Sequence, residues 1–148
     1  MNVEIYPLDT KHLSDICRIE KVAHTHPWSD SLLVNVDSRG ACHRVLLKQG
    51  RVIGYYYAQH VVGEVTLLNI AIDPEYQGKG YGKVLLAVFL EMCVDLKAES
   101  AWLEVRQSNV TACSIYESAG FNEVDRRRNY YPTSTGKEDA IIMSQFFF

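Results

Sequence analysis

Ile70-Ala71-Ile72-Asp73-Pro74-Glu75-Tyr76-Gln77-Gly78-Lys79-Gly80-Tyr81-Gly82 joins an apolar, strand-like run to a long helical pattern. Glycines at such a junction let the backbone curl until several N–H groups face inward. With the positive end of a helix dipole behind them, those groups form an anion cradle. A plain strand–turn–helix connection accounts for the same glycines. A nucleotide loop of the Walker type needs Lys followed by Ser or Thr, and Lys83 is followed by Val84. A dinucleotide fingerprint places its third glycine at position 83, which is Lys83. The loop alone therefore specifies an anion and nothing finer.

Upstream, Val3–Pro7 reads as a short strand, and Thr10 caps a helix to about Ala23 with Leu13, Ile16, Cys17 and Val22 near one face. Pro27 interrupts, and Ser29 or Asp30 caps a short second helix. His43–Lys48 and Val52–Ala58 form a hairpin around Gln49-Gly50. Glu64–Ile72 is a third strand whose alternation slips at Leu67-Leu68, as in a doubly buried strand or one with a bulge. Downstream, Tyr81, Leu85, Val88, Phe89, Met92 and Leu96 keep helical spacing to about Lys97. Ser100–Arg106 is a strand, and Ser108-Asn109 opens a helix that Gly120 stops after Ala119. Phe121–Tyr130 and Asp139–Phe146 are two last strands joined through Tyr131–Gly136. The order predicts an α/β (α+β) fold: one mixed, twisted sheet of about seven strands with helices on both faces. Its central strand–helix–strand crossover makes two strands parallel. No linker or repeat divides residues 1–148, so one domain is expected.

The bulk numbers fit that expectation. The chain has 148 residues, 47% hydrophobic and 22% charged, with a net charge of −3. This balance points away from nucleic-acid and anionic-membrane partners. No apolar run reaches the roughly 18–20 residues of a membrane span, and no signal-like segment is expected at the start. Cys17, Cys42, Cys93 and Cys113 lack paired metal spacing. They read as reduced thiols of a cytoplasmic protein without a metal site. The oligomeric state expected is a monomer.

Four groups of residues carry candidate chemistry. On the strand 100–106, alternation puts Glu104 with Trp102 and Arg106 on one face. A carboxylate buried in a covered sheet titrates high enough to act as a general base, whereas an ion pair with Arg106 or another cation makes it structural and pushes the titration the other way. Asn109, Ala112, Cys113 and Tyr116 share a helix face. Asn109 either caps the helix or contacts a ligand, and Tyr116 is either a core phenol or a proton donor. Arg126-Arg127-Arg128-Asn129-Tyr130-Tyr131 is either a solvated edge or the cover of a groove. His24 and His26 read as loop histidines, while Trp28 is either a core plug or part of a binding surface.

Gln77-Gly78-Lys79-Gly80-Tyr81-Gly82 resembles the acetyl-CoA pyrophosphate loop of the GNAT acetyltransferases, with Gln at its first position. The order of elements is similar to that fold across nearly the whole chain. Further segments resemble the bacterial branch of the family that acetylates the N-terminal alanine of a small-subunit ribosomal protein. They are His26-Pro27-Trp28-Ser29, Asn69–Pro74, Trp102–Arg106, Ser108-Asn109, Ile115–Phe121 and Arg128–Pro132. The resemblance implies acetyl-CoA as cosubstrate, with the backbone of Ile70, Ala71 and Ile72 along its acetyl–pantetheine arm. It implies Gln77, Gly78, Lys79, Gly80, Tyr81, Gly82 and Lys83 at the pyrophosphate, and Asn109 as a further contact. It implies Glu104 as general base and Tyr116 as general acid. It implies Pro27-Trp28 and Tyr130-Tyr131 as the walls of a groove for the N-terminal segment of a small-subunit ribosomal protein. Two alternatives stay open: another acceptor, such as other protein N-termini, a lysine or a small amine, and a non-catalytic acetyl-CoA-binding module.

Overall fold

The computed structural model describes residues 2–147. Strand β1 (Glu4–Pro7) leads through a 3-10 turn (Thr10–His12) into α1 (Leu13–Ala23) and α2 (Asp30–Val34). The turn is capped by Asp9 rather than Thr10, because the Asp9 N–H donates to His12 Nδ1 at 3.0 Å and the His12 N–H returns to the Asp9 carbonyl. Ser29 is the cap of α2, its side chain accepting from the Leu32 N–H. The buried face of α1 is Ile16, Ile19 and Glu20, and Val22 is exposed.

The sheet continues with β2 (Arg44–Lys48), β3 (Arg51–Val61) and β4 (Glu64–Ile72). A 3-10 turn (Pro74–Tyr76) and the glycine loop then enter α3 (Tyr81–Asp95). Next come β5 (Ser100–Arg106), α4 (Val110–Ser118), β6 (Asn122–Thr133) and β7 (Gly136–Phe146). The seven strands lie in the order β1-β2-β3-β4-β5-β7-β6. Among the described residues only the β4–β5 pairing is parallel; every other neighbour is antiparallel. The last two strands run longer than the residue pattern predicts. Tyr131 and Pro132 lie inside β6, paired with Glu138 and Lys137, and the turn shrinks to Ser134-Thr135. Proline is tolerated there because β6 is an edge strand and needs no inward N–H. No helix among the described residues is long and apolar enough to cross a membrane.

Two apolar layers cover the sheet. On one face α1 and α2 bury Ile16, Ile19 and Leu33 against Val45, Tyr55, Tyr57 and Ala71. On the other, Leu85 and Phe89 of α3 pack on Ile53, Tyr56, Leu67, Leu103 and Val105. Strand β3 supplies both layers, and Val52–Ala58 is buried throughout, as a central strand must be.

The decisive irregularity is in β4. Tyr57 pairs with Asn69 and Ala58 with Leu67, so Leu68 is an extra, unpaired residue. Of the two readings of the slip at Leu67-Leu68, a doubly buried strand or a bulge, the register shows the bulge, and bulges bend the strand that carries them. Pairing of β4 with β5 runs from Glu64↔Ser100 only to Leu67↔Leu103 and then stops. Beyond that point the two parallel strands separate, and the C-terminal half of β4 faces an open wedge.

Candidate active site

Two clefts open from the wedge. One, about 290 Å³, is walled by β4 and β5 with the 24–28 loop, Tyr116 and Tyr131, and contains Glu20, Asn69 and Glu104. The other, about 230 Å³ and more apolar, runs along Ile70, Ala71 and Ile72 to Gln77, Gly82 and Leu86, with α4 opposite. Five residues wall both clefts: His24, Ile70, Asn109, Ala112 and Tyr116. The clefts therefore meet where β4 leaves β5 and α4 begins.

At the far end of the second cleft the loop is shaped by backbone. Gly78 and Gly80 hold φ of 75° and 89°, in the left-handed region that side chains resist. Gly80 is the residue before α3, and Val84 donates the first helical bond back to its carbonyl. The N–H groups of Tyr81, Gly82 and Lys83 precede that bond at the positive end of the helix. A Cβ built at Gly78 or Gly82 meets nothing within 4 Å, so the space in front of the loop is open. Gln77 does not reach into that space with its amide, which donates to the Ile72 carbonyl at 2.9 Å and ties the loop to β4. The Lys79 ammonium lies over the Tyr76 ring at 5.6 Å. Open glycines, a helix N-terminus and an apolar channel behind them suit a pyrophosphate with a thioester-bearing arm.

Glu104 lies past the last β4–β5 pair and faces the first cleft, its side chain 30% exposed. The covered-sheet burial expected for it is absent, because the wedge removes the neighbouring strand on that side. Its Oε1 meets Arg127 Nε at 3.3 Å, and its Oε2 accepts from the Tyr131 hydroxyl at 3.1 Å. Arg106 pairs instead with Glu138 at 3.3 Å. The Arg106 guanidinium also stacks 4.4 Å from the Tyr131 ring centroid, and burial with the adjacent Glu104 pushes the Tyr131 phenol up to about 12. Tyr116 is 9% exposed at the junction, and burial raises its phenol to about 12. It stays protonated at neutral pH and retains a proton to give. Asn109 caps α4 by accepting from the Ala112 N–H at 3.3 Å, which leaves its amide N–H groups free.

Trp28 walls the first cleft, packed edge-on to Tyr57 at 5.4 Å between centroids. Tyr131 lines the same cleft. Pro27 and Tyr130 line neither cleft; Tyr130 is exposed, beneath the Arg127 guanidinium. Residue patterns missed Glu20, which is 1% exposed beneath the first cleft. Its carboxylate accepts from the Tyr55 hydroxyl (2.7 Å), the Asn69 amide (2.9 Å) and the Trp28 N–H (2.9 Å). The signal was a glutamate on the apolar face of α1, beside Ile16 and Ile19.

A model of the acetyltransferase (GNAT) family matches residues 13–121. The chain belongs to the GNAT acetyltransferase family. It is 41% identical over 140 residues to the [ribosomal protein bS18]-alanine N-acetyltransferase of Escherichia coli (strain K12), covering 95% of each chain. It is 44% identical over 127 residues to the protein of the same description from Haemophilus influenzae, covering 85% of this chain and 86% of that one. The crystal structure of the ribosomal-protein-S18-alanine N-acetyltransferase from Escherichia coli superposes with a TM-score of 0.93 at 40% identity, covering 97% of this chain and 93% of that one. As a GNAT protein this chain is an acyltransferase, and acetyl-CoA is the cosubstrate that membership implies.

Proposed function

We propose that this enzyme transfers acetyl from acetyl-CoA to the α-amine of the N-terminal alanine of ribosomal protein bS18, in the cytoplasm. The observation that carries the reading is the meeting of two clefts at one wall: an apolar channel ending in an anion cradle, and a polar cleft holding a carboxylate. The relatives named for that activity, 41% identical over nearly the whole chain, support the choice of acceptor. The cleft that Trp28 and Tyr131 both line suits an extended chain terminus.

Ile70 to Ile72 align the thioester through the backbone groups that β5 leaves unpaired, and one such N–H stabilises the oxyanion. Gly78 to Lys83 hold the pyrophosphate, with Asn109 as a further contact. Glu104, directly or through one water, takes a proton from the α-ammonium. That group titrates near ~8, against ~10.4 for a lysine, so the base has the easier task at a chain terminus. The neutral amine attacks the thioester directly. An acyl-enzyme is disfavoured, because burial raises all four cysteine thiols and none of them lines either cleft. Tyr116 protonates the departing thiolate. Holding amine and thioester together supplies much of the remaining acceleration.

The test is an acetyl-transfer assay on Ala-, Ser- and Met-starting peptides, with an internal lysine as control. Preference for the Ala-starting bS18 sequence is expected. Glu104→Gln and Tyr116→Phe should each lower kcat by ~10²-fold or more. Full activity of Glu104→Gln at neutral pH removes it as base, and unchanged turnover in Tyr116→Phe removes that residue as acid. Unchanged bS18 N-termini in a deletion strain, read by mass spectrometry, would overturn the acceptor.

A further inference from the structure

We propose that His24 is a second proton acceptor of the reaction, taking through Nδ1 the proton that the amine sheds as the amide forms. The inference rests on the acetyl-transfer reading above. An α-ammonium carries three protons and the product amide one, so two must leave the nitrogen. Glu104 accounts for the first, before attack. The second leaves as the N–C bond is made and the C–S bond breaks with its electron pair on sulfur. Tyr116 gives its own proton to that sulfur and must recover one. A group that takes the second amine proton and passes it to the Tyr116 phenolate closes the cycle, with one net proton released through Glu104.

His24 lines both clefts, as Tyr116 does. Of the five residues that wall both clefts, only His24 and Tyr116 have side chains that both give and take a proton. The ring is also held in one tautomer. Glu20 accepts only, so the Asn69 amide turns its NH₂ toward Oε1 at 2.9 Å and its Oδ1 toward His24 Nε2 at 3.0 Å. Nε2 therefore carries a hydrogen in either charge state, and the nitrogen that gains and loses a proton is Nδ1. Among the described residues no group bonds to Nδ1.

The charged and titratable groups around the ring come from several elements. Glu20 Oε1, from the same helix, is 3.6 Å from Nε2 and is the one carboxylate among the described residues within ion-pair distance. The Glu20 and Asn69 pair stands behind the ring as an orienting carboxylate stands behind a catalytic imidazole. Across the cleft, Glu104 is engaged by Arg127 and Tyr131, and Arg106 by Glu138. His26 lines the same cleft, and Tyr116 faces it from α4.

The test compares wild type, His24→Gln and His24→Ala on an Ala-starting peptide, from about pH 6 to pH 9. Both variants should lose kcat by about tenfold or more, with the KM for acetyl-CoA held within about twofold. Added imidazole should restore part of the rate to His24→Ala only, an effect that a structural role would not produce. Should His24→Gln lose its thermal transition, His24→Ala with and without imidazole carries the test. Retention of kcat within about twofold by either folded variant across that range overturns the proposal. Loss of activity in Glu104→Gln with a wild-type His24→Gln also overturns it and leaves the acetyl-transfer reading standing. Failure of the unaltered enzyme to acetylate any amine overturns that reading instead.

Discussion

Val62 stands at φ 47° with 93% of its surface exposed. With Gly63 at φ 80° it forms the two-residue hairpin turn between β3 and β4. Both centres of such a turn need positive φ, which a β-branched side chain resists and asparagine tolerates. Val62→Asn should therefore stabilise the fold by about 1 kcal/mol, read as a higher urea midpoint, since almost no packing is lost. His43 acts through protonation instead. Its Nδ1 accepts from the Ala58 N–H at 3.0 Å, so Nε2 carries the hydrogen, and burial holds the ring below its ordinary 6.5. His12 is displaced the same way, mainly by burial. Above 6.5 both rings are neutral, folded or unfolded. As pH falls from 6.5 toward the lower folded values, the unfolded chain binds protons that the folded one refuses. Stability should therefore fall across that window, and a urea midpoint at about pH 5.5 should lie below that at about pH 7.5. His43→Gln should flatten the dependence.

At the scale of elements, one irregularity opens the site and another shapes its wall. The irregularity at Leu68 was legible, because two adjacent leucines break the alternation of a strand, although a doubly buried strand breaks it as well. The bulge in β6 was not. Arg127 pairs with Ala140 and Tyr131 with Glu138, so residues 128–130 oppose Asp139 alone, with Asn129 at φ 50°. The buried Asp139 holds the loop by accepting from the Asn129 N–H at 3.1 Å and from Arg128 at 3.2 Å. Arg127 and Tyr131, the two partners of Glu104, flank this bulge. Asp139→Ala should cost about 1–3 kcal/mol by leaving the Asn129 N–H unpaired. It should raise the KM for the acceptor peptide more than the KM for acetyl-CoA, in steady-state assays varying each substrate. No residue spacing announces this clamp, because its parts come from opposite strands.

For the whole molecule, the wedge leaves β1 to β4 and the β5-β7-β6 group joined within the sheet by four residue pairs, Glu64 to Leu67 with Ser100 to Leu103. A cosubstrate lying along Ile70 to Ile72 and against α4 adds contacts to both groups. Saturation with acetyl-CoA at about 100 times its Kd should add about 2.7 kcal/mol, seen as a higher Tm. Gly82→Val places methyls in the open space before the loop. It should remove that ligand-induced shift while leaving the ligand-free Tm close to wild type.

The chain's residues alone determined the element order, the parallel crossover and the glycine loop. Those are properties of local pattern: apolar period, capping side chains, and glycines between a strand and a helix. The family was legible only through the resemblance of longer segments, such as Trp102–Arg106 and Arg128–Pro132. Local pattern also singled out Glu104, Asn109 and Tyr116, because strand alternation and helix spacing put each on a definite face. Tertiary structure decided what each face meets. It turned the covered sheet expected around Glu104 into an open wedge, and it put Tyr131, not Tyr130, in the wall of the cleft that Trp28 lines. It also set Glu20 and Asn69 behind His24. Each outcome depends on where two strands stop pairing or on side chains far apart in the chain, and neither is encoded in a window of neighbouring residues.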